Sequence, residues 1–395
     1  MSIAARTTVF PSRVGGGVPD RKRTSAVVKE PGQPANAPEV LYYWDYLHLD
    51  YLLNAQKPRS AEGESPKHEE FLFIVVHQTF ELWFRQIIFE LDSVLAIMGQ
   101  STVHERELRT VLARLQRIIE IQRLFVVQLD VLETMTPLDF FDFRSALVPA
   151  SGFQSVQFRL IENKFGLRSS DRMRVEGHCY NATLRPDHVS LVTQSEKEPS
   201  LFDHVECWLA RMPFLQINGF DFLEVYRGAA QDAHAAERVA LRTNPNLDDR
   251  SRDKQLRALE GAIRKFDILF EPQQWQESID EGARRLSYDA FVSALFITLY
   301  RDEPILQRPF EILTALIAID ESLTNWRQRH ALLAHRMLGR HTGTAGSGYG
   351  YLEETARRHK VFGDLFDIPT FFLPRATRPT LPDEVLSKLD FRLEH

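Results

Sequence analysis

Residues 73–86 read FIVVHQTFELWFRQ, a helix-length run that is apolar almost all the way round yet carries His77 in its middle. An imidazole buried without a partner costs free energy. His77 is therefore either hydrogen-bonded within the core or turned toward a cavity that something polar enters. On a helical wheel its face carries Phe73, Ile74, Phe80, Glu81, Phe84 and Ile88. Glu81, one turn on, is close enough to pair with the ring. The other reading is a neutral imidazole over an aromatic pocket, able to accept one hydrogen bond from a ring N–H.

The run sits inside a longer one. Residues 69–99 are expected to form a single helix. Its most apolar part, Phe71 to Ile97, is interrupted by Glu81, Arg85, Glu90 and Asp92, so it reads as a buried helix and not a membrane span. Outward from it the pattern stays helical. YYWDYLHLDYLLNAQ places Tyr43, Tyr46, Leu47 and Asp50 at helical spacings. Residues 103–135 repeat an apolar position every three or four residues over a charged face. Thr136-Pro137 opens a new element. DFFDFRSALVPASGFQSVQFRLIENKFG reads as two shorter helices broken at Pro149 to Gly152. Further helices are expected at 199–212, 221–241, 252–268, 285–300, 305–323 and 325–339. No alternating strand run is convincing. The expectation is an all-α helical bundle forming one domain over 38–395. Residues 220–285, more charged and less aromatic than their flanks, form a small helical insertion on it. Residues 1–37, rich in Pro, Gly, Ser, Thr and Arg, read as a disordered tail, with an organellar transit peptide as the alternative. The segment HKVFGDLFDIPTFFLPRATRPTLP is expected to wrap the surface.

The 395 residues are 44% hydrophobic and 26% charged, ordinary globular values that supply a sizeable core. A net charge of −6 gives no footing for nucleic acid or an acidic membrane. Phe is frequent, at 27 residues, which suits a pocket lined by flat rings or simply an aromatic core. Cys179 and Cys207 are the only cysteines, too few for a disulfide framework or a four-cysteine zinc site, and no CxxCH attaches haem covalently. Such a chain belongs in a reducing compartment, hence the cytoplasm.

Several catalytic motifs are missing. HEEFL at His68 is not HExxH, and no GxSxG occurs. GTAGSGYG, Gly343 to Gly350, follows a helix and lacks the P-loop ending. Its backbone N–H groups and hydroxyls suit either the clamping of a small polar ligand or a plain surface loop. His330, His335 and His341 are spaced by five and six residues, off any single helical face, and make a poor zinc site. One histidine suffices for haem iron, and His330 has Trp326 one turn before it; a core or surface histidine is the other reading. Arg144, in FFDFR, either grips a carboxylate beside apolar rings or pairs with Asp139 or Asp142.

Taken together, these segments resemble the tryptophan 2,3-dioxygenase family, haem enzymes that open the indole ring. The likeness runs from about Tyr42 to Arg375. It is carried by YYWDYLHLDYLLNAQ, FIVVHQTFELWFRQIIFELDSV, FDFRSALVPASGFQSVQFRLIENKFG, RRLSYDAFVSALFITLYRDEP, WRQRHALLAHRMLG and KVFGDLFDIPTFFLPR, all in order. The resemblance implies an all-helical homotetramer with non-covalent haem b passing through the ferrous state. The reaction it implies is cleavage of L-tryptophan by O2 to N-formyl-L-kynurenine, the first step of tryptophan catabolism. By resemblance His330 is the iron ligand and His77 the distal acceptor of the indole N–H. Phe73 packs on the indole, Phe140 walls the pocket and Arg144 binds the carboxylate. Thr344 contacts both ends of the amino-acid group. Tyr43, Tyr46 and Leu47 reach the pocket of a neighbouring subunit. The family loop usually reads Gly-Thr-Gly-Gly-Ser-Ser-Gly-Tyr. Here GTAGSGY is one residue shorter, with Ala345 where glycine is usual, a steric cost if that position needs a positive φ. That departure keeps alive a rival, a haem monooxygenase of the same superfamily. A more remote rival is a non-catalytic haem or tryptophan sensor.

Overall fold

The computed structural model describes residues 41–63, 65–172, 179–217, 219–341 and 349–389. The expected tail and Thr344 lie outside the described residues. The chain divides into two units, one ending at Ala55 and one starting at Gln56.

The described part of the first unit holds two single-turn helices, α1 (Tyr43–Tyr46) and α2 (Leu49–Leu52). Tyr43, Tyr46 and Leu47 are all exposed there.

The second unit is built on helices. Its first half runs α3 (His68–Met98), α4 (Glu105–Leu132), α5 (Pro137–Leu147), α6 (Val156–Phe165), α7 (Pro186–Ser195) and α8 (Leu201–Ala210). Its second half runs α9 (Phe222–Thr243), α10 (Asp249–Asp267), α11 (Pro272–Asp280), α12 (Tyr288–Leu299), α13 (Pro304–Leu338), α14 (Tyr349–Arg358) and α15 (Asp383–Leu389). The only strands among the described residues are β1 (Gln216–Ile217) and β2 (Phe220–Asp221), an antiparallel pair. The fold is all-α. No described helix is long and apolar enough to cross a membrane.

α3 runs 31 residues because nothing between His68 and Met98 breaks it: the stretch holds neither glycine nor proline. It packs along α4, and α4 packs along α13. α12 is buried from Ala290 through Ile297 and forms the centre of the core beside α8 and α13. α5 opens as its sequence suggests. Thr136 Oγ1 accepts from the Asp139 N–H, the Asp139 carboxylate accepts from the Thr136 N–H, and Pro137 holds the first helical position. α6 ends at Gly166, with φ of +113°. A Cβ there would lie 2.7 Å from Phe202 Cβ and 2.7 Å from Ser200 Oγ, so glycine is required by conformation and by space.

Three expectations need correction. The stretches 305–323 and 325–339 are one helix, α13, since the buried face continues from Leu323 through Arg327 to Ala331 with no breaker between them. α7, α11 and α14 were not anticipated; each is short, and α11 holds its place by burying Trp275, whose indole N–H donates to Leu286 O at 3.0 Å. The C-terminal segment lies on the surface only in its second half, where Pro374 to Thr377 are exposed. Residues Gly363–Phe371 form a 3-10 helix that buries Leu365, Ile368 and Phe371. Polar staples fix it. Asp320 accepts from the Val361 and Phe362 N–H groups, Asp364 from those of Arg285 and Leu286, and the Tyr226 hydroxyl donates to Phe371 O.

Candidate active site

A cavity of about 330 Å³ opens between α3, α5, α6, α13 and α14. α3 contributes Phe73, His77, Phe80 and Phe84, all on the face read from the sequence. α5 adds Phe140 and Arg144, and α13 adds Trp326, His330 and Leu333. Five expected site residues, Phe73, His77, Phe140, Arg144 and His330, therefore meet at one void. His341 also lines it, whereas His335 is exposed and does not.

The geometry settles the partner of His77. Its Nδ1 lies 2.7 Å from the Phe73 carbonyl oxygen. A carbonyl only accepts, so Nδ1 carries the hydrogen and Nε2 is left as an acceptor. Glu81 is engaged elsewhere, its carboxylate accepting from the Gln157 side chain at 2.8 Å. The His77 ring is open to the cavity yet set deep in the protein. Burial pulls its pKa below the ordinary imidazole value, against the opposing pull of the Phe73 carbonyl and Glu81. At neutral pH the ring is uncharged. The Phe73 ring lies over it, centroids 4.1 Å apart, and continues into Phe140 and Phe143 at 5.8 and 5.7 Å.

His330 comes from the opposite helix. The Trp326 ring stacks on it, nearly parallel, with centroids 5.5 Å apart. Burial, with His77 as a second imidazole nearby, brings its pKa down to about 4. An imidazole kept neutral has a lone pair for a metal. Arg144 lies over the Phe141 ring at 5.4 Å, at the α5 wall. Of the acids on its own helix, Asp139 is in the α5 cap and Asp142 lies 3.5 Å from Lys67 Nζ.

The wall formed by α6, α14 and the Arg327 turn of α13 was not anticipated from the sequence. Arg159, Glu162, Arg327 and His359 line the cavity there and are all buried. Their signal was present: FRLIENKF sets Arg159 and Glu162 three residues apart on a helix that also buries Leu160, Ile161 and Phe165. Such a pattern marks an internal ion pair but names no partner.

A family model described as tryptophan 2,3-dioxygenase matches residues 30–372. The tryptophan 2,3-dioxygenase of Bdellovibrio bacteriovorus is 48% identical over 352 residues, which is 89% of this chain and 98% of that protein. The proteins of the same name from Alteromonas mediterranea and Dictyostelium discoideum are each 42% identical. They cover 90% and 93% of this chain, and 99% and 92% of their own lengths.

Proposed function

Because the chain belongs to the tryptophan 2,3-dioxygenase family, we propose that it opens the indole ring of L-tryptophan with O2 to give N-formyl-L-kynurenine. The observation that carries this reading is the pairing of His77 and His330, two neutral imidazoles from different helices, at one aromatic cavity.

The residues present fit a haem. Among the described residues no group of three His, Cys, Asp or Glu could hold a metal ion. A metal served by His330 alone must arrive in a chelate that fills its other positions. The buried Nε1 of Trp326 and Nε2 of His359 have no hydrogen-bond partner among the described residues, as expected at walls meant to meet a bound group. When bound, the haem supplies the oxygen chemistry. The protein supplies the rest. His330 holds the iron. Phe73 and Phe140 hold the indole by ring contact, and His77 Nε2 accepts its N–H. Arg144 grips the carboxylate with two parallel N–H donors, and Thr344 contacts the amino-acid end. The protein's contribution is chiefly positioning in a site from which water is excluded.

Assembly as a homotetramer belongs to the same reading, with Tyr43, Tyr46 and Leu47 completing a neighbour's site. Its support is an apolar stripe on α3 and α4. Phe71, Leu82, Phe89 and Val127 are each more than half exposed, side chains that a second subunit would cover. Two free, exposed cysteines suit a reducing cytoplasm.

The test is the mass of the product after haem-loaded, reduced protein meets L-tryptophan and labelled O2. Two labelled oxygens in one product support the dioxygenase. One labelled oxygen would transfer the chain to the monooxygenase reading, and no turnover with haem bound would revive the sensor.

A further inference from the structure

Glu162 is 3% exposed and meets three guanidinium groups. Arg159 Nη1 lies 2.9 Å from one carboxylate oxygen, and Arg327 Nη2 lies 3.0 Å from the other. Arg172 Nη1 approaches to 3.5 Å. The three arginine side chains are themselves at least nine-tenths buried. His359 completes the group, its Nδ1 3.9 Å from Glu162. Burial holds that imidazole at a pKa of about 4, against the pull of Glu162, so it adds no charge at neutral pH. Among the described residues three guanidinium groups thus crowd one carboxylate, with Asp320 a further buried acid on the Arg327 side, so positive charge is in excess around Glu162. A buried charge without a counter-charge is costly.

The surplus sits at the cavity. Arg159, Glu162, Arg327 and His359 line it; Arg172 stands behind them, 4.0 Å over the Tyr180 ring and bonded to Asn163. Arg159 Nε and His359 Nε2 are buried without a hydrogen-bond partner among the described residues. Arg327 is held from two sides, donating to Glu162 and, at 2.9 Å, to His359 O. The cluster is tied to the His330 wall through rings. Phe158 lies 5.2 Å from Trp326, which stacks on His330, and the guanidinium carbons of Arg159 and Arg327 lie 5.8 and 6.0 Å from Phe158.

We propose that this cluster is an anion clamp for the carboxylate side chains of the haem. Arg159 is the group that meets them, and Glu162 is a positioning residue that holds the guanidinium groups at the wall. The proposal rests on the haem reading above and adds to it a source of selectivity: the site prefers a macrocycle with ionised carboxylates over the same macrocycle without them. Glu162 makes the clamp possible by offsetting one of the three charges. The cofactor's carboxylates meet the positive charge that remains.

The experiment compares haem with haem dimethyl ester, which keeps the iron and ring and loses both negative charges. The full-length apoprotein is loaded with each, and release is followed as capture by excess apomyoglobin. The unmodified protein is expected to hold haem about ten- to a hundredfold longer than the ester, the range for a charge-assisted contact. Arg159→Met is expected to shorten haem retention by a similar factor while leaving ester retention unchanged. A cooperative melting transition of its apoprotein shows that the variant is folded, so that the loss is read as loss of the clamp. Equal retention of both macrocycles by the unmodified protein would overturn the clamp and leave the haem reading standing. So would an Arg159→Met loss common to both. If neither macrocycle gives a histidine-ligated spectrum, the haem reading itself fails and the clamp with it.

Discussion

The Nδ1 atom of His77 is bound to the carbonyl oxygen of Phe73, one turn earlier on α3, at 2.7 Å. The same Phe73 lays its ring over the imidazole at 4.1 Å. One residue thus fixes both the tautomer and the plane of the other. Nε2 is left as an acceptor with its direction set before any ligand arrives.

From this follows a prediction about the indole N–H. His77→Ala should weaken tryptophan binding by roughly 0.5–1.5 kcal/mol, the net value of one neutral hydrogen bond. The loss should vanish for 1-methyltryptophan, which has no N–H to donate. Binding isotherms for both ligands on both proteins decide it. An equal loss for the two ligands would show that His77 acts by shape alone.

Arg144 is predicted to act on the carboxylate. Arg144→Met should raise KM for tryptophan about ten- to a hundredfold, matching a lost charge-assisted contact of roughly 1.5–3 kcal/mol. Arg144→Lys should recover only part of that, because an ammonium cannot reproduce the planar fork. Tryptamine, which lacks the carboxylate, should bind all three proteins alike. A variant that discriminates against tryptamine as strongly as against tryptophan would remove Arg144 from this role.

Acid should weaken the fold through the α6 and α14 wall. Burial raises the Glu162 carboxyl, but Arg159, Arg172 and Arg327 outweigh it and hold the group well below the usual carboxylate range. A folded pKa below the unfolded one stabilises the fold above the unfolded value of 4.5, and the benefit is lost as pH falls further. His359 works on the same side. Its unfolded value is 6.5 and its folded value about 4, so the folded state resists protonation and loses stability between those pH values. Denaturant midpoints of the apoprotein should therefore fall from pH 6.5 toward pH 4, and less steeply in His359→Gln. Identical slopes in parent and variant would clear His359 of that role.

Tyr226 offers a test of the C-terminal anchor. Its hydroxyl is buried and donates to Phe371 O at 2.6 Å. Tyr226→Phe removes the donor and leaves a buried carbonyl unsatisfied, at a cost of about 1–3 kcal/mol. The denaturant midpoint should fall accordingly while the haem spectrum stays unchanged. An unaltered midpoint would mean that water or another donor replaces the hydroxyl.

Local pattern determined much of this protein. The lack of breakers from His68 to Met98 dictates α3, and Thr136-Pro137 dictates the start of α5. The 3.6-residue period puts Phe73, His77, Phe80 and Phe84 on one face, and the ordered motifs disclosed the family. What the period does not contain is which face meets which. That His330 looks across a void at His77, and that Glu162 meets Arg327 from 165 residues away, were decided by how α3, α6, α13 and α14 pack. The same holds for the C-terminal segment, whose prolines suggested a surface strap. Its burial follows from bonds to distant elements: Asp320 on α13 accepts its N–H groups, and its own Asp364 accepts those of Arg285 and Leu286. A helix face is a local property of the chain. The charge balance of a cavity wall is a sum over four elements, and it exists only once they are assembled.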